Sequence, residues 1–471
     1  MRQSKLLVLL RSFPAVRWRR FGEFVQSPYW NKNKDIRAFY QFLSDYHPKF
    51  DHPDLDKKNV VSRLALTGSF TEKKLAYLMS QTTGLAETFI AIETLRDSPS
   101  LPEWLHLKAL RDAGLTRQFA AGYEQWQKKL PTDPADGFHL FEVELLAFQT
   151  LTKPGHLEFN PLLQKANNQL DESYLLHKLR LLAAIHNVQR LIDVRYNMLI
   201  GSELEALLLQ NPQLLDSRPI PATWFFAWQL NRGDEPEWFE KLLWALDRHA
   251  GILGLQEQKE LYIYALNFCT RRINLYNEQH YYTRYLDLHE IMLKKGLLLE
   301  NNRLQPHIYL NLVYAGLRSG RSVWTHHFFH QWRAHLPPES RENLFAYALS
   351  LYHYFHKEYD QAQKTLARVE FEDVLLAVSA RSLMVKILWE TRQTELLFAC
   401  LEANRLFLHR NKQLDPRLRR QMQQFVDFTR RLARIDPPDP AKLKALAQRL
   451  PPATEIMHRD WLAKMIGQEG F

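Results

Sequence analysis

Residues 343–369 read NLFAYALSLYHYFHKEYDQAQKTLARV, and residues 377–403, 34 positions on, read AVSARSLMVKILWETRQTELLFACLEA. The candidate packing positions of the first block are Leu349, Tyr359, Ala362, Leu366 and Val369. They fall on Leu383, Gln393, Leu396, Cys400 and Ala403 of the second, of which four are again apolar. Apolar residues in both blocks recur at three- and four-residue steps, the period of one helix face. The spacing predicts a helix pair at about 340–356 and 359–370, and another at about 376–391 and 393–409. A pair repeated at a fixed interval buries its apolar side by stacking on the next pair.

Outward from these blocks the same periodicity continues. In 173–197 it runs through Leu175, Leu176, Leu179, Leu182, Ala183, Ile185, Val188, Leu191 and Ile192. Prolines at 48, 53, 131, 134, 154, 212, 219, 221, 306, 337 and 338 stand between helical stretches. Glycine numbers only 16 of 471, which disfavours tight-turned sheets and Gly-rich phosphate loops. A literal echo links Gln125-Trp126-Gln127-Lys128-Lys129-Leu130-Pro131 to Gln331-Trp332-Arg333-Ala334-His335-Leu336-Pro337, about six such intervals apart. The expected fold is all-α, an α-solenoid of stacked antiparallel helix pairs with no sheet. Three parts are expected: an N-terminal helical region 1–100, a helical-repeat array 101–410 and a basic C-terminal cap 411–471. The cap is read as a helix at about 414–434, a short one at 441–449 and a last one at 454–466.

Paired helices at this interval, with small Ala362 in the second helix and a helix-ending proline, resemble tetratricopeptide repeats. The full Trp-x2-Leu-Gly-x2-Tyr signature is absent, and the candidate Gly316 has no Trp four residues before it. The resemblance implies an extended surface that grips a peptide or a partner helix. The stretch Phe21-Gly22-Glu23-Phe24-Val25-Gln26-Ser27-Pro28-Tyr29-Trp30-Asn31-Lys32-Asn33 resembles the opening of a family of long helical proteins common in Bacteroidota, a likeness that supplies no activity. Here Pro28 ends one helix and Asn33 can cap the next.

Charge is terminal. Residues 1–20 hold six Lys/Arg and no acid, and residues 405–449 hold twelve against Asp415, Asp427, Asp436 and Asp439. The formal total is +10, so the long middle is slightly acidic. Such segregation suits either solvated helix faces or contact with a polyanion. Candidate polyanion-binding residues are Arg417, Arg419, Arg420, Arg430, Arg431 and Arg434. Burial of Leu6, Leu7, Leu9, Leu10 and Phe13 against residues 21–46 is expected, in preference to a membrane-surface helix.

Cys269 and Cys400 stand far apart without zinc spacing, which fits reduced thiols in the cytoplasm. No stretch approaches the ~20 apolar residues of a membrane span. His326 and His330 share a helix face, as two metal ligands would, but no acid lies near them and no metal or cofactor is expected. Asp287, His289 and Glu290 with His280, and His353 and His356 with Asp360, invite an acid–base reading without any supporting motif. The expectation is a non-catalytic protein-binding scaffold or adaptor with a protein or peptide partner. Its candidate contact residues are Arg271, Arg272, Tyr281, Tyr282 and Arg284. The alternative is nucleic-acid binding through the basic ends.

Overall fold

The computed structural model describes the 471-residue chain except 65–70, 99, 129–136, 153–159, 193, 370–373, 412, 436–437, 453 and 470–471, with backbone only at 64, 137, 468 and 469. Among the described residues the chain is all-α apart from one small hairpin, and it divides into two compact units, 1–175 and 176–471. The division falls inside a single long helix. The boundaries expected at 100/101 and 410/411 coincide with junctions between helices.

The first unit holds α1 (Lys5–Arg11), α2 (Ala15–Gln26), α3 (Lys34–Ser44), α4 (Lys57–Leu64) and α5 (Glu72–Asp97). These are followed by α6 (Leu101–Asp112), α7 (Thr116–Lys128), α8 (Gly137–Leu151) and the start of α9 (Pro161–Leu191). Helix α5 touches α1, α2, α3, α4 and α6, so the first hundred residues close around one central helix. Leu6, Leu7, Leu10 and Phe13 are buried with Phe21, Phe39 and Phe89, which places the apolar side of α1 inside this core. The N-terminal charge is met locally: Arg2 pairs with Asp51 and Asp56, Lys5 with Glu87, and Arg20 with Glu93.

The Ser-Pro-Tyr-Trp-Asn-Lys connection behaves as its residue types suggest. Helix α2 stops before Pro28, and Asn33 caps α3 by accepting from the Asp35 N–H at 2.9 Å. Buried Asn31 ties the loop by donating to the Val25 carbonyl at 2.9 Å. Trp30 stacks on Phe24, with centroids 4.9 Å apart, while Tyr29 projects outward.

The second unit continues with α10 (Gly201–Gln210), α11 (Gln213–Asp216), α12 (Pro219–Arg232), α13 (Pro236–Arg248), α14 (Leu255–Tyr276) and α15 (Tyr281–Lys294). Then come α16 (Pro306–Arg318), α17 (Ser322–Trp332), α18 (Arg341–Phe355), α19 (Tyr359–Leu366), α20 (Val374–Glu390) and α21 (Thr394–Arg410). The chain ends in α22 (Pro416–Ala433), α23 (Pro440–Gln448) and α24 (Arg459–Glu469). From α12 to α21 the helices pair in order, and each pair rests on the next: α13 on α14, α15 on α16, α17 on α18 and α19 on α20. First helices also touch across the pairs, α12 with α14, α16 with α18 and α18 with α20. This is the nearest-neighbour stacking of a solenoid.

Aromatic side chains fill the joints. Trp224 and Trp228 are fully buried, and their indoles donate to Glu257 at 2.6 Å and His186 at 3.2 Å. Gly316 on α16 allows a close approach: a Cβ there would lie 2.1 Å from the Thr325 hydroxyl of α17.

Two expectations are corrected. The chain is not free of sheet, because Leu299–Glu300 and Arg303–Leu304 form an antiparallel ladder. Asn301 and Asn302 lie between them at φ 50° and 60°, the left-handed pair a two-residue hairpin turn requires. The interval between second helices is 35 rather than 34. Buried Ala362 and Leu366 align with buried Leu397 and Leu401, whereas Leu396 is exposed. Trp126 and Trp332 each stand in the last turn of a helix, α7 and α17. Lys129, Leu130 and Pro131 of the echo lie outside the described residues, as do Pro134, Pro154, Lys412, Asp436 and Pro437.

Candidate partner-binding face

The site grows from the first helices of successive pairs. Helix α16 carries Tyr314 and Arg318, α18 carries Tyr347 and Tyr354, α20 carries Lys386 and Trp389, and α22 carries Phe425. Tyr282, in the first turn of α15, joins them through Tyr314, with ring centroids 6.1 Å apart. Tyr314 in turn meets Phe355 edge-on at 5.9 Å. The result is a polar-aromatic face with two cations.

The C-terminal segment lies on this face. Asp439 starts α23 by accepting from the Ala441 and Lys442 N–H groups at 2.9 and 3.2 Å. Pro451 and Pro452 stop the chain from continuing as a helix. The return is pinned to α22, where the Gln421 amide donates to the Thr454 carbonyl at 2.9 Å and the Met457 N–H donates to the Gln421 carbonyl at 3.2 Å. His458 turns the chain at φ 55°, and α24 begins. Leu462, Met465 and Ile466 recur at helical steps and are buried with Val385, Leu388, Met422 and Phe425. Trp461 meets Trp389 and Phe425 with ring centroids 6.0 and 5.9 Å apart.

The polar side of the contact is less well matched. Lys386 is half-buried; burial, reinforced by the Arg318 guanidinium, pushes its ammonium down to about 7. Burial and the adjacent Lys386 hold His458 well below its ordinary value. Burial, with Tyr314 beside it, raises the Tyr282 phenol to about 12, and Asp460 of α24 adds to the rise. Arg318 lies over the Tyr282 ring at 5.2 Å and donates to Gln279 at 2.6 Å. The Tyr354 phenol, raised by burial, faces the Trp461 indole. His458 Nε2 and Arg318 Nε are nevertheless buried without a hydrogen-bond partner.

Of the five residues nominated for partner contact, the structure brings Tyr282 to this face. Arg271 pairs with Asp234 at 3.3 Å and donates to the Leu230 carbonyl at 3.0 Å. Burial would raise Asp234, but Arg190, Tyr276 and Arg271 hold it below its ordinary value. Arg272 is clamped by Glu278, and Arg284 by Glu240. Tyr281 is buried against Phe239 and Phe268. These cations therefore fasten helices to neighbouring helices and to the connections between them.

In the C-terminal basic set, Arg430 pairs with Glu402 at 2.7 Å, and Arg419 donates to the Asn411 and Leu414 carbonyls of the connection after α21 at 3.0 and 3.2 Å. Arg417, Arg420, Arg431 and Arg434 are exposed, and none meets a carboxylate among the described residues. A shallow groove of about 480 Å³ between α21 and α22 is lined by Arg405, Leu408, His409, Arg419 and Gln423.

The histidines and thiols are placed as follows. The His326 and His330 rings have centroids 4.6 Å apart, in a cluster with Phe329, Phe345 and Tyr352. Among the described residues no group of three or more His, Cys, Asp or Glu is placed to hold a metal ion. Asp287 and Glu290 both engage Arg321, while buried His289 binds its own helix and is pushed down to about 4 by burial. His353 contacts Glu358 at 2.5 Å, and His356 the Tyr352 carbonyl at 2.8 Å. Burial raises the Cys269 and Cys400 thiols to about 12 and about 11.

The residues that sequence reasoning missed are Arg318, Lys386, Trp389 and Trp461. They come from two helices of the stack, α16 and α20, and from a terminal segment read only as a cap. No protein-family model, curated protein or solved structure matches the chain.

Proposed function

We propose that this chain is a non-catalytic protein-binding scaffold that holds a peptide or partner helix on the face made by α16, α18 and α20. The supporting observation is that this face already carries a helix: α24 sets Trp461 against Trp389 and places Asp460 close to Tyr282 and Tyr314. Buried aromatic anchors ringed by polar groups are the composition of a tight recognition surface. Kinship with tetratricopeptide repeats and action in the cytoplasm belong to the same proposal. No described helix is long and apolar enough to cross a membrane.

A photo-cross-linking residue at Tyr282 or Arg318, tested in cells, is expected to trap one protein. The same probe at exposed Leu255 or Val323 is expected to trap none. Equal trapping from all four positions, or none from the face, would end this reading.

The alternative, nucleic-acid binding, has one specific support. Arg417, Arg420 and Arg431 share a side of α22, Arg434 follows as its C-cap, and together they span about 25 Å at the rise of a helix. Four phosphate contacts predict a log–log salt slope of about −3 to −4. Absence of binding to labelled RNA and DNA at low salt would exclude it.

A further inference from the structure

We infer that α24 is a displaceable internal ligand of the face beneath it, and that the partner it gives way to is an amphipathic helix bringing a carboxylate to Arg318 and Lys386. The inference rests on the scaffold reading and adds the chemistry of the partner. Its first support is the route of the chain. Helix α24 packs on α23 and α22 and sets Trp461 against Trp389 of α20, while its Trp461 also faces the Tyr354 phenol of α18 and Asp460 acts on Tyr282 and Tyr314.

The second support is the mismatch within the contact. Its apolar half is complete, with Leu462, Met465 and Ile466 buried. Its polar half buries His458 Nε2 and Arg318 Nε unpartnered, and it lays His458 beside Lys386 where an acid would be favourable. Each unsatisfied buried donor weakens the contact that buries it, because the group has lost water and gained nothing. The groups facing Lys386 and His458 are Arg318 from α16 and the aromatic ring of Phe425 from α22. Asp460 instead acts on Tyr282 and Tyr314. A helix with the same apolar spacing and an acid in the His458 position would keep the greasy contact and supply the missing counter-charge.

The third support is the attachment. Behind α24 stand the left-handed His458 and the prolines Pro451 and Pro452, so the segment is joined to α22 and α23 by a turn rather than by a continuous helix. Such a connection lets α24 leave while α22 stays in place.

The test uses fluorescent peptides of residues 454–469, one of native sequence and one with His458→Glu, titrated against two full-length chains. One chain is native; the other carries Trp461→Ala and Leu462→Asp to free α24. The freed chain is expected to bind the native peptide at least tenfold more tightly than the native chain does, and the His458→Glu peptide tighter again by about tenfold at pH 7. Equal binding to both chains, binding to neither, or no advantage for the glutamate would overturn the inference. Should the double variant fail to fold, the native chain is examined by hydrogen exchange with excess His458→Glu peptide. Faster exchange of α24 amides supports displacement, and unchanged exchange overturns it. Failure here, with cross-linking from Tyr282 still trapping a protein, would remove the acidic-helix partner and leave the scaffold.

Discussion

The bundle of residues 1–97 and the stack from α12 to α22 are made of the same helices and the same aromatic residues, yet they solve burial differently. In the bundle, α5 is surrounded by α1, α2, α3, α4 and α6, so the terminal helix α1 becomes part of a closed core. In the stack each helix is satisfied by the pair before and the pair after, and α24 is laid on its end against α22 and α23, with Trp461 on Trp389 of α20. A helix built into a core and a helix laid on a face differ in what their loss costs, and that difference is what the functional reading uses.

The largest expected effect tests this contrast directly. Phe39→Ala, at a fully buried site in the bundle, is expected to cost about 3–5 kcal/mol in urea unfolding. Trp461→Ala is expected to leave the main unfolding transition nearly in place, because α24 detaches. A loss as large as that of Phe39→Ala would mean that α24 is core and not ligand. Gly316→Ala, which drives a methyl into Thr325 between α16 and α17, is expected to cost about 1–3 kcal/mol in the same measurement. Asp415→Ala removes an acceptor for the Arg417 and Leu418 N–H groups at 2.9 and 3.0 Å, and is expected to cost about 1 kcal/mol.

The last effect is one of pH. Lys386 titrates near 7 in the folded chain against an ordinary value of 10.5. Between those values the unfolded chain holds a proton the folded one lacks, so stability rises with pH from about 7 upward and is least below 7. His458, held well below 6.5, adds a further loss as pH falls through 6.5. Urea midpoints of the native chain should therefore rise from pH 5 to pH 9, and Lys386→Met should flatten the upper part of that rise.

Much of the fold was legible because helix period and helix ends are local. The predicted 340–356 and 376–391 fall on Arg341–Phe355 and Val374–Glu390, and Asn33 caps α3 as its position suggested. The slip from Leu397 to Leu396 arose because a single interval was imposed on pairs whose first helices differ in length: α20 spans 17 residues and α18 spans 15. The hairpin at 299–304 is too short to show an alternating pattern.

The site was far less legible, since Tyr282, Arg318, Lys386 and Trp461 are united only by stacking and by the return of the chain. The basic residues at 271, 272 and 284 looked like a surface because their acids, Asp234, Glu278 and Glu240, arrive from other parts of the stack and its connections. One local clue did exist. Trp461, Leu462, Met465 and Ile466 form an apolar helix face after two prolines, more than a polar cap requires.

Native-state hydrogen exchange across a urea series separates a docked ligand from a structural helix. The amides of residues 462–466 should open at a free energy well below those of α18 and α20, with a small urea dependence. Exchange of α24 only through the same global opening as α18 and α20 would contradict the account.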